Sequence, residues 1–475
     1  MKVLTCAATG QSVQLINQIA SSGEGEIWRT DRPGLLAKIY FTPDPQRVRK
    51  LEGMVANPPR DPNAHINHIS FAWAKSLLQD SRGQCVGFLM PEITRSVQIL
   101  DVYNPLRRQR ILPGFNWLYL HTTAMNIASI IGAIHQAGYV VGDIKPENIL
   151  VNDRALPAII DTDSFQVRNP QTGELFHCRV GSDGFTPVEL LGKDLGSTEQ
   201  TEVHDRFRLG VIIHLLLFGD YPFKGRWVGM GDSPPPIELL RQGYWCYAPH
   251  SLVQPGPLTI PLETVHPALQ QCFLRCFNGG HKNPEARPAP VEWLNALQLA
   301  RSELVICQKI KNHYYSQTYG KCYWCERCKT LGVDIFPTVA TPPHPAVKSF
   351  RQWSDRLRQN LRKWNTQPLA TRLQSSLQNW KMTSPGSLAW IRPAPGSPSS
   401  PPIPTPNPAP PALPVWKRSS TAIAALAVVF ALLLFLSRSK VDTQELELSL
   451  VGVFLCLGLV AIGFLWLKVL DKTSS

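Results

Sequence analysis

Between residues 13 and 40 apolar and polar side chains alternate, and Gly23, Gly25 and Gly34 interrupt the alternation. A period of two broken by glycines predicts strands joined by tight turns. Residues 46 to 55 suit a short helix, which Asn57-Pro58-Pro59 stops. Gly87 to Ile93 reads as a buried strand. From 116 to 137 the apolar positions recur at helical spacing until Gly138 ends them. A second apolar helix is expected over 205 to 218, and 262 to 300 reads as mostly helical. Strands first and helices afterwards predict an α+β domain of two lobes over roughly residues 10 to 300.

Beyond Pro337 the pattern changes. Residues 337 to 416 form a linker rich in proline, serine and basic residues, and its part from 393 to 415 cannot bury a core. Within the linker, 348 to 364 places Phe350, Trp353, Leu357, Leu361 and Trp364 on one helical face. Such a helix suits an anionic lipid surface, or equally a place against the preceding domain. Two apolar runs follow, 419 to 437 and 448 to 467, each expected to be a transmembrane helix. Their lengths approach or reach what a hydrocarbon core of roughly 30 Å requires. Lys417, Arg418, Lys468 and Lys472 flank the pair, against Arg438 and Lys440 in its loop. The balance favours flanks on the cytoplasmic side. The expectation is a multi-pass protein of the cell membrane, touching membrane lipid, with the two-lobed domain in the cytoplasm.

The chain has 475 residues and a formal net charge of +13. That excess favours phosphates, nucleic acid or anionic lipid without choosing among them. Nothing sequence-specific marks a nucleic-acid contact. Eleven cysteines, an odd number, argue against a disulfide scaffold. Four of them, Cys307, Cys322, Cys325 and Cys328, crowd one short stretch. Cys307-x5-His313-x8-Cys322-x2-Cys325 supplies three thiolates and an imidazole, the ligand set of a closed tetrahedral Zn2+ site. Cys328 is a spare for Cys307 or His313. Tyr314, Tyr315, Tyr319, Tyr323 and Trp324 are expected to shelter this module, which spans 301 to 336. A closed site of this kind is structural.

The sharpest chemistry lies in Gly142-Asp143-Ile144-Lys145-Pro146-Glu147-Asn148. Phosphoryl transfer needs an acid group to orient the attacking hydroxyl and take its proton, a cation to steady the transferred phosphate, and an amide oxygen on a metal. Asp143, Lys145 and Asn148 supply these in one loop. Downstream, Asp161 and Asp163 follow a β-run, where carboxylates can coordinate the Mg2+ that bridges ATP phosphates.

These two loops resemble the catalytic and metal-binding loops of protein kinases. The family's H-R-D reads V-G-D here. Its D-F-G reads D-S-F at Asp163 or, without gaps, D-T-D at Asp161, and the sequence leaves that register open. The variants are similar to a divergent bacterial branch of kinase-like proteins. The resemblance implies that Gly23 and Gly25 belong to a glycine-rich phosphate loop, with Trp28 in the place of its third glycine. It implies that Lys38 grips the α- and β-phosphates and that Glu52, on the next helix, pairs with Lys38. Thr186-Pro187-Val188-Glu189 is similar to the A-P-E anchor. His204 to Val211 is similar to the helix whose buried Asp205 caps the catalytic loop, and Arg287 to the late arginine that bridges Glu189. The implied fold is a bilobal protein-kinase-like fold, followed by the zinc module and the two transmembrane helices. The implied function is a membrane-anchored Ser/Thr-type protein kinase using ATP and Mg2+ on protein hydroxyls. The alternative is a pseudokinase that binds nucleotide or gathers partners. No substrate is legible.

Overall fold

In the computed structural model, residues 2 to 338 are described. The N-terminal lobe is a closed antiparallel barrel of six strands: β1 (Val3–Cys6), β2 (Ser12–Ser21), β3 (Gly25–Thr30), β4 (Leu35–Tyr40), β5 (Ser76–Gln79) and β6 (Cys85–Pro91). β1 lies before residue 10, where the domain was expected to begin. It pairs with both β2 and β5 and so closes the barrel. Leu4, Val13, Leu15, Ala37, Ile39, Leu78 and Leu89 fill it, which is why these strands alternate along the sequence. Gly25 and Gly87 flank β4 so closely that a Cβ on either would meet the carbonyl oxygen of Ile39 or Lys38, at 2.3 and 2.0 Å. Between β4 and β5 runs the helix α1 (Pro45–Ala56), capped by Asp44.

The second lobe is helical. Its axis is Trp117–Gln136, capped by the Asn116 side chain and followed by Gly138 at positive φ. It packs on Glu202–Phe218 and Pro290–Ser302. Glu202–Phe218 is buried almost all round, which accounts for its unbroken apolar run. A small antiparallel sheet of Ser96–Gln98, Ile149–Asn152 and Pro157–Ile159 lies beneath the cleft. Ile159 joins the segment entering β5 through Ala72 N–H to Ile159 O and Ile159 N–H to Ser70 O, both 2.9 Å.

The cysteine-rich stretch folds as a hairpin, Leu304–Ile306 with Tyr314–Ser316, and a helix, Tyr323–Leu331. Trp324, 2 % exposed, meets Trp117 edge-on at 5.0 Å and Phe336 at 4.7 Å. Burying one such ring removes 150–250 Å² from water. The module therefore shares the core of the second lobe.

The expected membrane location is corrected here. No helix among the described residues is long and apolar enough to cross a membrane. The longest of them, Trp117–Gln136, has 20 residues, but its apolar face is consumed by the lobe core. The stretches 348–364, 419–437 and 448–467 lie outside the described residues, as does the rest of the linker after residue 338.

Candidate active site and metal centre

Asp143 sits on a loop whose backbone is held from below. The carboxylate of Asp205, fully buried, accepts the N–H groups of Val141 and Gly142 at 2.7 and 3.0 Å. Burial would raise this acid, but the His135 hydrogen bond, Arg208 and the backbone donors hold it below the usual carboxylate range. His135, from the long helix, reaches Asp205 at 3.1 Å, beneath a loop that has V-G-D where H-R-D was the family pattern. Gly142 has φ +75°, and a Cβ there would run into Cys178 at 2.6 Å. The missing arginine is thus excluded by the backbone and by the packing of Cys178.

Asp143 is 2 % exposed. Lys145 Nζ lies 2.5 Å from one of its oxygens, and Ser182 Oγ donates to the other at 2.9 Å. Ser182 was not singled out in the sequence, although it stands seven residues before Glu189, on the segment that Glu189 anchors. Asn148 donates its amide nitrogen to Asp143 O at 3.1 Å, so its amide oxygen is the atom left for a cation. The backbone bond from Ile160 N–H to Asn148 O, 3.0 Å, sets the turn bearing Asp161 beside this loop.

Lys38 comes from β4 and is 5 % exposed. Its Nζ is 2.8 Å from Asp161 Oδ1 and 2.7 Å from the Asp163 carboxylate. Burial works to lower its pKa, but the charges of Asp163 and Asp161 outweigh that and raise it. Tyr40 Oη donates to Asp163 Oδ2 at 2.8 Å. Asp163 is held low: burial opposes its charge, and Lys38 and Tyr40 outweigh burial. Asp161 adopts a left-handed conformation at φ 60°, which an aspartate tolerates better than most residues. The side chain of Asp161 is 42 % exposed and that of Asp163 only 4 %.

Glu52 does not join this cluster. It lies on the exposed face of α1, because the buried positions of that helix are Lys50, Leu51, Gly53 and Met54. The side chain that α1 sends inward is Lys50, whose Nζ donates to the backbone oxygen of Asp163 at 2.7 Å. Burial lowers Lys50 to about 8. Gly23 lies in the open turn between β2 and β3, with nothing near it, whereas the lack of a side chain at Gly25 is already required by β4. Glu24 at the same turn meets Arg47 of α1 at 3.3 Å. Farther off, Arg287 holds Glu189 through two contacts, Nη1 at 2.5 Å and Nη2 at 2.8 Å.

The second cluster joins Cys307, His313, Cys322 and Cys325, whose ligand atoms all lie within 4.8 Å of one another. His313 Nδ1 is 3.5 Å from Cys322 Sγ and 3.5 Å from Cys325 Sγ, and Cys307 Sγ is 3.5 Å from Cys325 Sγ. A tetrahedral zinc, about 2.3 Å from sulfur and 2.0–2.1 Å from nitrogen, has edges close to these. The four residues fit the ion. Cys328, on the same helix, stays outside the cluster. His313 Nε2 meets Asp334 Oδ1 at 2.9 Å. A proton on Nε2 shared with that carboxylate leaves Nδ1 as the metal-binding nitrogen. Asp334 was not read from the sequence; it lies beyond the cysteine run and carries no spacing signal. Its backbone oxygen accepts from Gln109, and Arg108 reaches Ile335 O, so the segment is tied to the second lobe.

A strand-built lobe over a helical one, with Asp143, Asn148, Asp161 and Lys38 facing a common cleft, is a protein-kinase-like fold. Residues 96–229 match the family model described as the protein kinase domain. The chain is homologous to protein kinase YegI of Escherichia coli. It is 31% identical over 335 residues to that protein from either of two strains, which covers 68% of this chain and 50% of the relative. The chain thus spans about half the length of the curated relatives it matches. It is also 26% identical over 219 residues to testis-specific serine/threonine-protein kinase 5 of Mus musculus, covering 45% of this chain and 55% of that one. Among solved structures, a ROP18 kinase domain in complex with AMP-PNP and sucrose aligns with a TM-score of 0.42 at 14% identity, over 63% of this chain and 84% of that one.

Proposed function

We propose that the chain transfers the γ-phosphate of ATP to serine or threonine hydroxyls of proteins. The observation that carries this reading is the Asp143 carboxylate, buried and held between Lys145 and Ser182 at the cleft. A carboxylate fixed in this way can orient an incoming hydroxyl and take its proton. Lys145, 25 % exposed at its side chain, is free enough to turn from Asp143 to the transferred phosphate. Lys38 would hold the α- and β-phosphates under the Gly23–Gly25 turn. Asn148 and the turn of Asp161 and Asp163 would hold Mg2+, which neutralises phosphate charge as it shifts toward the leaving group. The likeness to protein kinases, YegI among them, supports the same reading. The four residues Cys307, His313, Cys322 and Cys325 would hold one Zn2+ in a structural role.

The direct test is transfer of radiolabelled phosphate from ATP by the purified full-length chain, to itself or to a generic protein substrate, against Asp143→Ala. Label on serine or threonine, lost in the variant while ATP binding persists, upholds the proposal. Binding without transfer in the unaltered chain would make it a nucleotide-binding pseudokinase. Label confined to tyrosine would defeat the Ser/Thr assignment.

A further inference from the structure

The two acidic residues after β-strand Pro157–Ile159 are chemically alike but sit in different surroundings. Asp161 keeps a side chain 42 % exposed, and its carboxylate meets Lys38 alone among the described side chains, while Ser164 Oγ donates to its backbone oxygen at 2.8 Å. Asp163 is 4 % exposed, and three groups converge on it. Lys38 and Tyr40 bind its carboxylate and Lys50 binds its backbone oxygen. A ligand to a hydrated cation needs open lone pairs and room for water. A charge that fixes a lysine needs a dry, fully bonded place. From this geometry we infer that Asp163 is the positioning residue for Lys38, taking over the pairing expected of Glu52, and that Asp161 is the acidic cation ligand. The inference rests on the kinase reading of the cleft.

The consequence concerns how the two lobes set the phosphate-binding lysine. Both carboxylates that reach Lys38 lie on one turn of the second lobe, and α1 contributes none. The helix contributes an amine instead, Lys50, bonded to the backbone of the same turn. Tyr40 extends from β4 two residues after Lys38, so its ring faces the same side of the strand. Lys38 and Tyr40 thus form a pair of donors, and Asp163 accepts from both. When Asp161 turns toward a cation, Lys38 keeps Asp163 and its orientation.

The test measures ATP affinity by calorimetry, and transfer as a function of Mg2+, on the full-length chain and four variants. Asp163→Asn should weaken ATP binding about 10- to 100-fold, the worth of a charge-assisted bond, and leave the half-saturating Mg2+ concentration of residual transfer unchanged. Asp161→Asn should do the reverse, raising the Mg2+ requirement about 10-fold or more for loss of a cation ligand. Tyr40→Phe, which keeps the ring, removes one donor from the Asp163 carboxylate but leaves Lys38 on it, and should weaken ATP binding by a smaller amount, about 2- to 10-fold. Glu52→Gln should change neither quantity. Should Asp163→Asn fail to fold, as judged by its melting transition, Tyr40→Phe and Glu52→Gln still decide the matter. The inference falls if Asp163→Asn shifts the Mg2+ requirement as Asp161→Asn does, or if Glu52→Gln weakens ATP while Tyr40→Phe does not. An unaltered chain that binds no ATP removes the kinase reading itself. Normal ATP binding by Asp163→Asn removes only the present one.

Discussion

Lys38 reaches Asp161 and Asp163 across 123 and 125 residues of chain, whereas Cys307 and Cys325, at the two ends of the metal cluster, are 18 residues apart. The cleft exists only when a β-barrel and a helical lobe have docked. The metal centre is a hairpin and one helical turn, and its ligands need little besides each other. The two regions therefore divide the work of folding in opposite ways. In the cleft, the folded lobes hold the charges in place. In the metal centre, an ion would hold the fold in place, since ligands this close without a cation repel once they ionise. Their contact with the rest of the molecule differs too. The cleft faces solvent through Asp161, while the helix that carries Cys325 is docked on the second lobe by Trp324 on Trp117, with Cys322 and Cys325 half-buried.

The widest effect is expected from stripping the metal centre. Structural zinc confers about 10 kcal/mol or more on isolated zinc fingers. Cys322→Ser should take the chain from one zinc to none in metal analysis and lower its melting transition, because Trp324 leaves the core with the helix that carries it. ATP binding that survives this loss would show the two regions to be energetically separate. Next, Asp143→Asn should reduce transfer about 10²- to 10⁴-fold, the usual share of a general base, with zinc content unchanged. A coupled loss of zinc would break the comparison. Arg287→Ala comes third. It leaves Glu189 without its partner beneath the segment bearing Ser182, and breaking a buried pair of this kind costs about 3–5 kcal/mol; urea unfolding would read it.

Acid should act on the helical lobe that carries both regions. Burial lowers His121 and His214 to about 4, below the ordinary histidine value of about 6.5. Between those values the unfolded chain takes protons that the folded chain refuses. Stability is therefore full above about pH 6.5 and falls as pH drops toward 4, by up to ~3 kcal/mol for each histidine. His121 binds the backbone oxygen of Trp117, the residue under Trp324. Unfolding midpoints in urea at pH 7 and pH 5 would measure the slope, and a flat profile would contradict it. The smallest effect sharpens the metal centre itself. Asp334→Asn should weaken zinc binding about 10- to 100-fold in competition with a chelator, as loss of an outer carboxylate commonly does, without releasing the ion at saturating zinc.

Much of this molecule is written in local patterns. The alternation of residues 13 to 40 is the alternation of a barrel wall, and the helical spacing from 116 to 137 is the axis of the second lobe. The loop Asp143–Asn148 and the Cys/His spacing mark chemistry because each packs its ligating groups into one turn or hairpin, where sequence distance and spatial distance agree. The pairing of Lys38 was not legible in this way. Glu52 and Lys50 lie two positions apart on one helix, and a two-residue step on a helix turns the side chain through more than half a circle. Which of them points inward depends on how α1 seats against the barrel, and the seating buries Lys50, Leu51 and Met54. The register of Asp161 and Asp163 was open for the same reason, since both acids are equal along the chain and differ only in what surrounds them. Ser182 and Asp334 carry no motif at all. Sequence determines a contact where the partners are near in the chain, because the backbone itself restricts their separation. Where they are far apart, only the packing of whole elements brings them within reach, and the tertiary structure alone decides which carboxylate meets which cation.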